Sequence, residues 1–297
     1  MDCKAPRFEK LGTTAELWQG EECNRRLFGA EWKGGMYQSL AGQFWPRKAV
    51  HGIAEIVLSR GVHIRTHTCV ETIDRPRPSE FLLHTNVGHI RCDKLVHCTN
   101  GYASKLLPRL KGAIMPVRGQ IVATSPIESL WIPHNLGFND GYEYLIHRKE
   151  DKRIIFGGNR WRASTPGREV GVCDDSTVDP QVSEGLRSSL PHLFPLLKAE
   201  SNFKIDYEWT GIMGYSCDNW PLIGRMDLVQ DEWIAAGYCG NGMPQCFGAA
   251  KAVSEMITGK LPTGDTWIPQ FNPMRFSDPE YAAKHLYTGR KQLKMDE

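Results

Sequence analysis

The sequence has little excess charge of either sign: 36 Lys and Arg stand against 34 Asp and Glu in 297 residues, a formal charge of +2. Such a balance leaves no electrostatic footprint for nucleic acid or an anionic membrane surface as partner. No stretch approaches the roughly 18 apolar residues of a membrane-spanning helix, and the opening MDCKAPRFEKLG has no apolar signal region. The nine Cys are an odd number without CxxC spacing. Neither a disulfide framework nor a zinc ribbon is indicated, and a reducing, cytoplasmic compartment is expected. The densest thiol cluster, Cys92, His97 and Cys98 in CDKLVHCTNG, reads as small apolar side chains in strands, so no metal is expected. Repeats and low-complexity tracts are missing, and the terminal KQLKMDE carries no lipidation signal. Catalytic fingerprints are also absent. GNGMPQ lacks the last Gly of GxGxxG, and there is no GxxxxGK[ST], GxSxG or HExxH. P-loop phosphoryl transfer, serine hydrolysis and zinc proteolysis lose their basis.

What is present is globular in character. With 41% apolar and 24% charged residues, 29 Gly and 18 Pro, the chain can build one or two domains with a substantial core. Residues 1–43 are weakly patterned. PRKAVHGIAEIVLSR places Val50, Ile53, Ala54 and Val57 at helical spacing, with Pro46 in the first turn and Gly61 as the stop. GVHIRTHTCVETI then alternates with period two, predicting one or two strands from Val62 to Glu71. FLLHT and HIRC predict a hairpin around Asn86, Val87 and Gly88, and Lys94–Cys98 a short strand. From about Pro108 longer β segments dominate: AIMPVRGQIVAT, YLIHR, RIIFGG and YEWTGIMGYS predict an antiparallel sheet. One helix interrupts it, with Asp179 as N-cap, Pro180 as first residue and Val182, Leu186 and Leu190 on one face. The last clear pattern is a strand EWIAAGY, a tight turn CGNG and a helix MPQCFGAAKAVSEMITG. Its apolar stripe is Met243, Phe247, Ala250, Val253 and Ile257.

Two strand-to-helix junctions are candidates for ligand binding, because a helix N-terminus presents unpaired N–H groups and partial positive charge. They are Thr99 to Ser104 and Gly237 to Met243. In the second, Gly237, Gly240 and Gly242 remove three β-carbons within six residues. That lets a flat or anionic ligand approach the backbone; tight packing of the turn is the competing explanation.

Seven segments in order, FWPRKAV, GVHIRTHTCVETI, LVHCTNGYASKLLP, IMPVRGQIVAT, YLIHR with IIFGGNR, EWTGIMGYSCDNWPLIG and WIAAGYCGNGMPQCFGAAKAVSEMITG, together resemble the FAD-dependent D-amino acid oxidase, glycine oxidase and sarcosine oxidase family, closest to its fungal members. The likeness spans roughly residues 12 to 275. It implies an α/β fold with α+β character, in which a truncated Rossmann-like FAD-binding domain accompanies a substrate domain with a large, mostly antiparallel sheet. The expected division is residues 1–43 leading into the substrate domain, 44–108 and 216–262 in the FAD-binding domain, 109–215 in the substrate domain, and 263–297 as a tail. By the same resemblance Val70 would contact the adenine. Thr99, Asn100 and Gly101 would pass the pyrophosphate, and Gly240, Asn241, Gly242 and Met243, after Gly237, would face the pyrimidine edge of the flavin. There, backbone donors and a helix dipole favour the negative charge that reduction brings. The implied reaction is hydride transfer from a carbon bearing an amine to non-covalent FAD. A substrate carboxylate would call for an Arg, with Arg118, Arg148 and Arg160 as candidates and His147 a weaker one.

Departures from the family narrow this reading. Met213 stands where glycine and D-amino acid oxidases carry an Arg for the substrate carboxylate, which speaks against an ordinary amino-acid substrate. Gly211 stands where sarcosine oxidases attach flavin through Cys, and Pro244 where they carry Lys, so covalent flavin is not expected there. Cys217 and Cys239 are read as core thiols. Family members open with a βαβ unit bearing GxGxxG, and this chain opens downstream of it. The FAD site is therefore expected to be incomplete within one chain, and apolar faces such as that of Leu95 and Val96 to be left uncovered, favouring self-association or a partner. The functional expectation is a flavoprotein oxidising a small-molecule amine or amino-acid-like substrate. The alternatives are an inactive remnant or binding module without FAD, and an upstream segment that supplies the absent unit.

Overall fold

A computed structural model describes residues 15–27, 32–139, 141–165, 167–226 and 231–286; the readings of the extreme N-terminus and of KQLKMDE lie outside them. In chain order the elements are β1 (Ala15–Gln19), α1 (Gly20–Arg26), β2 (Gly34–Gln38), α2 (Pro46–Ser59), β3 (Val70–Arg77), β4 (Glu80–Thr85), β5 (Gly88–Cys92), β6 (Leu95–His97) and α3 (Ala103–Leu106). There follow β7 (Ile114–Thr124), β8 (Leu136–Phe138), β9 (Glu143–His147), β10 (Ile154–Gly157), α4 (Pro180–Leu193), β11 (Ile205–Ser216), β12 (Leu222–Arg225), β13 (Glu232–Ala236), α5 (Gly242–Ile257) and α6 (Pro279–His285). The fold is mixed α/β with antiparallel sheets. The chain divides into two compact units. One comprises Met1–Ile64, Gly119–Arg168 and Ser176–Thr210, the other Arg65–Arg118, Glu169–Asp175 and Gly211–Glu297.

The first unit is organised by the five-stranded sheet β11-β7-β10-β9-β8. β10 runs antiparallel to both neighbours, setting Phe156 opposite Val122 and Leu145. Asp179 and Pro180 start α4 as the sequence predicts: the Asp179 carboxylate accepts from the N–H groups of Gln181 (2.8 Å) and Val182 (3.1 Å). The other carboxylate oxygen takes the Ser164 N–H (2.9 Å) and hydroxyl (2.5 Å). Val182, Leu186 and Leu190 then pack with Val122, Leu145, Ile154 and Phe156 into one core. The weakly patterned N-terminal stretch contains the antiparallel pair β1 and β2 around α1, which the sequence did not reveal because its apolar residues are too sparse for a stripe.

In the second unit, β3, β4 and β5 form an antiparallel meander with the hairpin turn where Asn86, Val87 and Gly88 predict it. A separate sheet, β12-β13-β6, pairs β13 antiparallel to β12 and parallel to β6. Glu232 opens β13 with its carboxylate fully buried. It accepts from Arg75 (2.7 Å), from His97 Nε2 (2.7 Å) and from Arg109, so one acid joins β3, β6 and the turn after α3.

Two expectations are corrected, and one expected helix forms without a buried face. The alternation from Val62 to Cys69 yields irregular chain, with Val62 and Ile64 exposed, and a strand begins only at Val70. Alternation becomes a strand where a partner is available, and the first pairing is Val70 with Thr85. α2 forms and stops before Gly61, at φ +85°, yet none of its residues is buried; Val50 and Ile53 are 61% and 57% exposed. On α5 the stripe is rotated: Ala249, Ala252 and Val253 are buried, whereas Met243 and Phe247 lie open.

Two stability predictions follow from the buried acids. Burial alone would raise the pKa of Glu232, but its hydrogen bonds from His97, Arg75 and Arg109 outweigh that and hold it at about 2. A carboxyl whose folded pKa is depressed stabilises the fold above its unfolded value, and that stability drains away as pH falls through the folded value. Glu232→Gln should therefore cost about 3 kcal/mol at neutral pH and flatten the acid dependence between roughly pH 5 and pH 2, measured by urea unfolding across pH. Asp179→Ala should cost about 2 kcal/mol by removing the cap of α4, read as a lowered unfolding midpoint.

Candidate functional site

In the second unit the chain leaves β6 through Cys98 and Thr99, both exposed, and turns sharply at Asn100–Tyr102 into α3. Asn100 takes the left-handed conformation (φ +43°) that Asn tolerates better than most residues. Its side-chain oxygen accepts the Gly237 N–H at 2.9 Å. The two junctions singled out by the sequence are thus tied together by one hydrogen bond.

The packing around that bond is backbone against backbone. A β-carbon on buried Gly101 would stand 2.6 Å from the Met213 carbonyl oxygen, and one on Gly214 would stand 2.5 Å from the Asn100 side-chain oxygen. Cys239 N–H donates to the Gly214 carbonyl (2.8 Å), and Tyr215 bridges to Tyr238. Gly214 and Tyr215 are the positions that sequence reasoning missed as parts of the site, and Met213, singled out for its side chain, contributes its carbonyl. The small residues in GIMGY were the available signal, but only the fold shows what approaches them.

The second junction ends in the N-terminus of α5. Asn241, its N-cap, donates its side-chain amide to the Cys239 carbonyl (3.2 Å) and does not cap the helix. Gly242, Met243 and Gln245 begin the helix with N–H groups that have no side-chain cap, and the first turn contains no acid. Gly237, Cys239 and Gly240 have φ of +79°, +51° and +80°; the first and last fit without cost because glycine has no β-carbon. Gly240 packs against the Tyr215 hydroxyl. Val70 takes its place on another sheet, half-buried at the start of β3.

The nearby thiols are held protonated. Burial raises the Cys239 pKa, opposed by hydrogen bonds from the Ser216 hydroxyl and N–H (both 3.2 Å). Cys217 is pushed up to about 12 by burial and the Asp218 charge. Tyr102, just after Asn100 and Gly101, is likewise raised to about 12, by burial and its hydrogen bond to Asp175.

The arginine candidates differ in what they already hold. Arg118, in the second unit, is buried against the Glu169 carboxylate and donates to the Asp174 carbonyl at 3.0 Å. In the first unit Arg148 grips Asp151 through two nitrogens (3.0 and 2.5 Å) and lies over the Trp45 ring. Arg160, also in the first unit and only 7% exposed, has its guanidinium 5.3 Å from the Tyr142 ring centre and makes no ion pair among the described residues. His147 spends both ring nitrogens on backbone, Nδ1 accepting from Ile132 N–H and Nε2 donating to the Lys152 carbonyl. Burial and the Lys152 charge lower its pKa. Among the described residues no group of three His, Cys, Asp or Glu could hold a metal, and no helix is long and apolar enough to cross a membrane.

Chemically, the turn cluster offers uncapped amides and a helix dipole with no competing acid, which suits a ligand carrying negative charge on a flat edge. FAD fits that donor set: Thr99, Asn100 and Gly101 and the residues from Gly240 to Met243 are those that would hold it.

Comparison with known proteins bears on the same region. The sequence model of the family described as FAD dependent oxidoreductase (DAO) matches residues 4–256. The probable oxidoreductase OrdL of Haemophilus influenzae is 24% identical over 256 residues, covering 82% of this chain and 54% of that protein. Glycine oxidase of Bacillus subtilis is 25% identical over 216 residues, covering 71% and 53%. This chain spans about half the length of these curated relatives. Among solved structures, glycine oxidase from Geobacillus kaustophilus superposes with a TM-score of 0.74 at 21% identity, covering 89% of this chain and 68% of that one. L-proline dehydrogenase from P. horikoshii gives 0.71 at 24%, covering 91% and 70%. With a family match across most of its length and the same fold in solved relatives, this chain belongs to the DAO family of FAD-dependent oxidoreductases.

Proposed function

We propose that this chain oxidises an amine or amino-acid-like small molecule with non-covalently bound FAD. The observation that carries the reading is the union of the two junctions through Asn100 and Gly237, which gathers the expected cofactor residues other than Val70 into one cluster beside the uncapped start of α5. FAD, when bound, supplies the hydride acceptor. The chain's own contribution is positional. The amides of Gly242 and Met243 and the dipole of α5 stabilise negative charge at the flavin edge, and the glycines let the ring approach the backbone. Arg160 is the candidate to bind a substrate carboxylate, since it is buried and makes no described ion pair while Arg118 and Arg148 hold acids of their own. The similarity to a glycine oxidase, a sarcosine oxidase subunit beta and a D-amino acid dehydrogenase supports the substrate class.

The test is to purify the chain with added FAD and record its visible spectrum, then search an amine panel for anaerobic bleaching. A yellow protein bleached by an amine is expected. A colourless one would sink the reading and leave a binding module without flavin. Asn100→Ala strands the Gly237 N–H and should weaken FAD binding about tenfold in a flavin fluorescence titration. Arg160→Ala should raise KM about 100-fold for carboxylate-bearing amines, as loss of charge-assisted hydrogen bonds implies, while amines without a carboxylate are unaffected.

A further inference from the structure

A cavity of about 560 Å³ lies in the first unit, lined by β1, β2, β8 and the segments flanking them. None of the residues discussed as cofactor or substrate contacts lines it, and its size is within the range that holds small molecules. No Lys, Arg, Asp or Glu contributes to its lining. Five aromatic rings, those of Trp18, Trp32, Tyr37, His134 and Phe138, share the wall with the neutral polar side chains of Gln38, Ser39, Gln43 and Asn135. Trp18 and Tyr37 stack at 4.9 Å, and His134 meets both edge-on at 5.6 and 5.4 Å. Opposite in chemistry is one unsatisfied donor: the indole N–H of Trp32, another lining residue, is buried and has no acceptor among the described residues. Trp32 is held in place edge-on to Phe138 (5.5 Å), and its backbone N–H is anchored on Asn24 (2.7 Å).

These features select among occupants. An anion finds no Lys or Arg in the lining, and Arg26, whose guanidinium covers the Trp18 ring at 4.4 Å, is paired with Glu22. A cation finds no carboxylate in the lining, and the Trp18 ring already serves Tyr37 and Arg26. A planar apolar molecule gains aromatic contact, and an acceptor on it would satisfy the stranded indole donor, whose isolation is costly. We propose that this cavity is a second binding site, separate from the oxidoreductase reading, for a small uncharged aromatic molecule carrying one hydrogen-bond acceptor such as a carbonyl.

The probes are benzamide, which has the acceptor, and toluene, which lacks it, each titrated into the FAD-supplemented full chain and followed by saturation-transfer NMR. Both should bind, benzamide more tightly. Trp32→Phe keeps the ring and removes the donor, so it should weaken benzamide about tenfold and leave toluene unchanged. β-Carbons at Gly137 and Gly42, both lining positions, would meet nothing within 4 Å. Gly137→Leu or Gly42→Leu therefore adds bulk at the lining without a clash at the β-carbon and should weaken binding of both probes, with far-UV and near-UV circular dichroism unchanged. The proposal is overturned if neither probe binds the native chain, if Trp32→Phe weakens both equally, or if both folded leucine variants bind as before.

Discussion

The hydrogen bond from the Gly237 N–H to the Asn100 side chain constrains more of the second unit than its modest strength suggests. It is made by an Asn100 at positive φ, beside which Gly101 lies against the Met213 carbonyl and Gly214 has no room for a β-carbon. Those contacts in turn fix where the turn before α5 starts, and so where the uncapped amides of that helix lie. A polar side chain inside a glycine cluster works here because it satisfies a backbone donor that would otherwise be stranded.

The two units solve the problem of buried charge in different ways. In the second, Glu232 is surrounded by His97, Arg75 and Arg109. That network needs all its members, since a buried carboxylate without partners would cost more than it contributes. In the first, Asp179 is satisfied by neutral donors, two at the start of α4 and two from Ser164. Arg160 departs from both patterns: it is a nearly buried cation without a described carboxylate, the condition under which a bound anion is most useful.

Much of this was legible in advance where local chemistry decides structure. Asp179-Pro180 at the head of α4, the Asn86–Gly88 hairpin and the strand–turn–helix around Gly240 all follow from residues that act on their immediate neighbours. The failures are those of long-range packing. Val62 to Cys69 alternate yet lack a partner strand, Met243 and Phe247 belong to a stripe that the fold rotates away from the core, and β1 and β2 pair without an apolar pattern to announce it. At the candidate site the glycines and Asn100 were readable because turn geometry restricts residue type. That Met213, Gly214 and Tyr215 press on them was not, because those contacts join segments distant in sequence, residues 101 and 213 across 112 positions and residues 215 and 240 across 25.

The contact between Gly101 and residue 213 is made by the main chain of Met213, not by its side chain. Every amino acid presents the same carbonyl there, so exchanging the residue at 213 leaves the fit of the turn intact. This separates two kinds of evolutionary freedom: Gly101 is held by geometry, while the neighbouring side chain can be swapped at little cost to the scaffold. A change of side chain at 213 is the sort of divergence that arrangement allows.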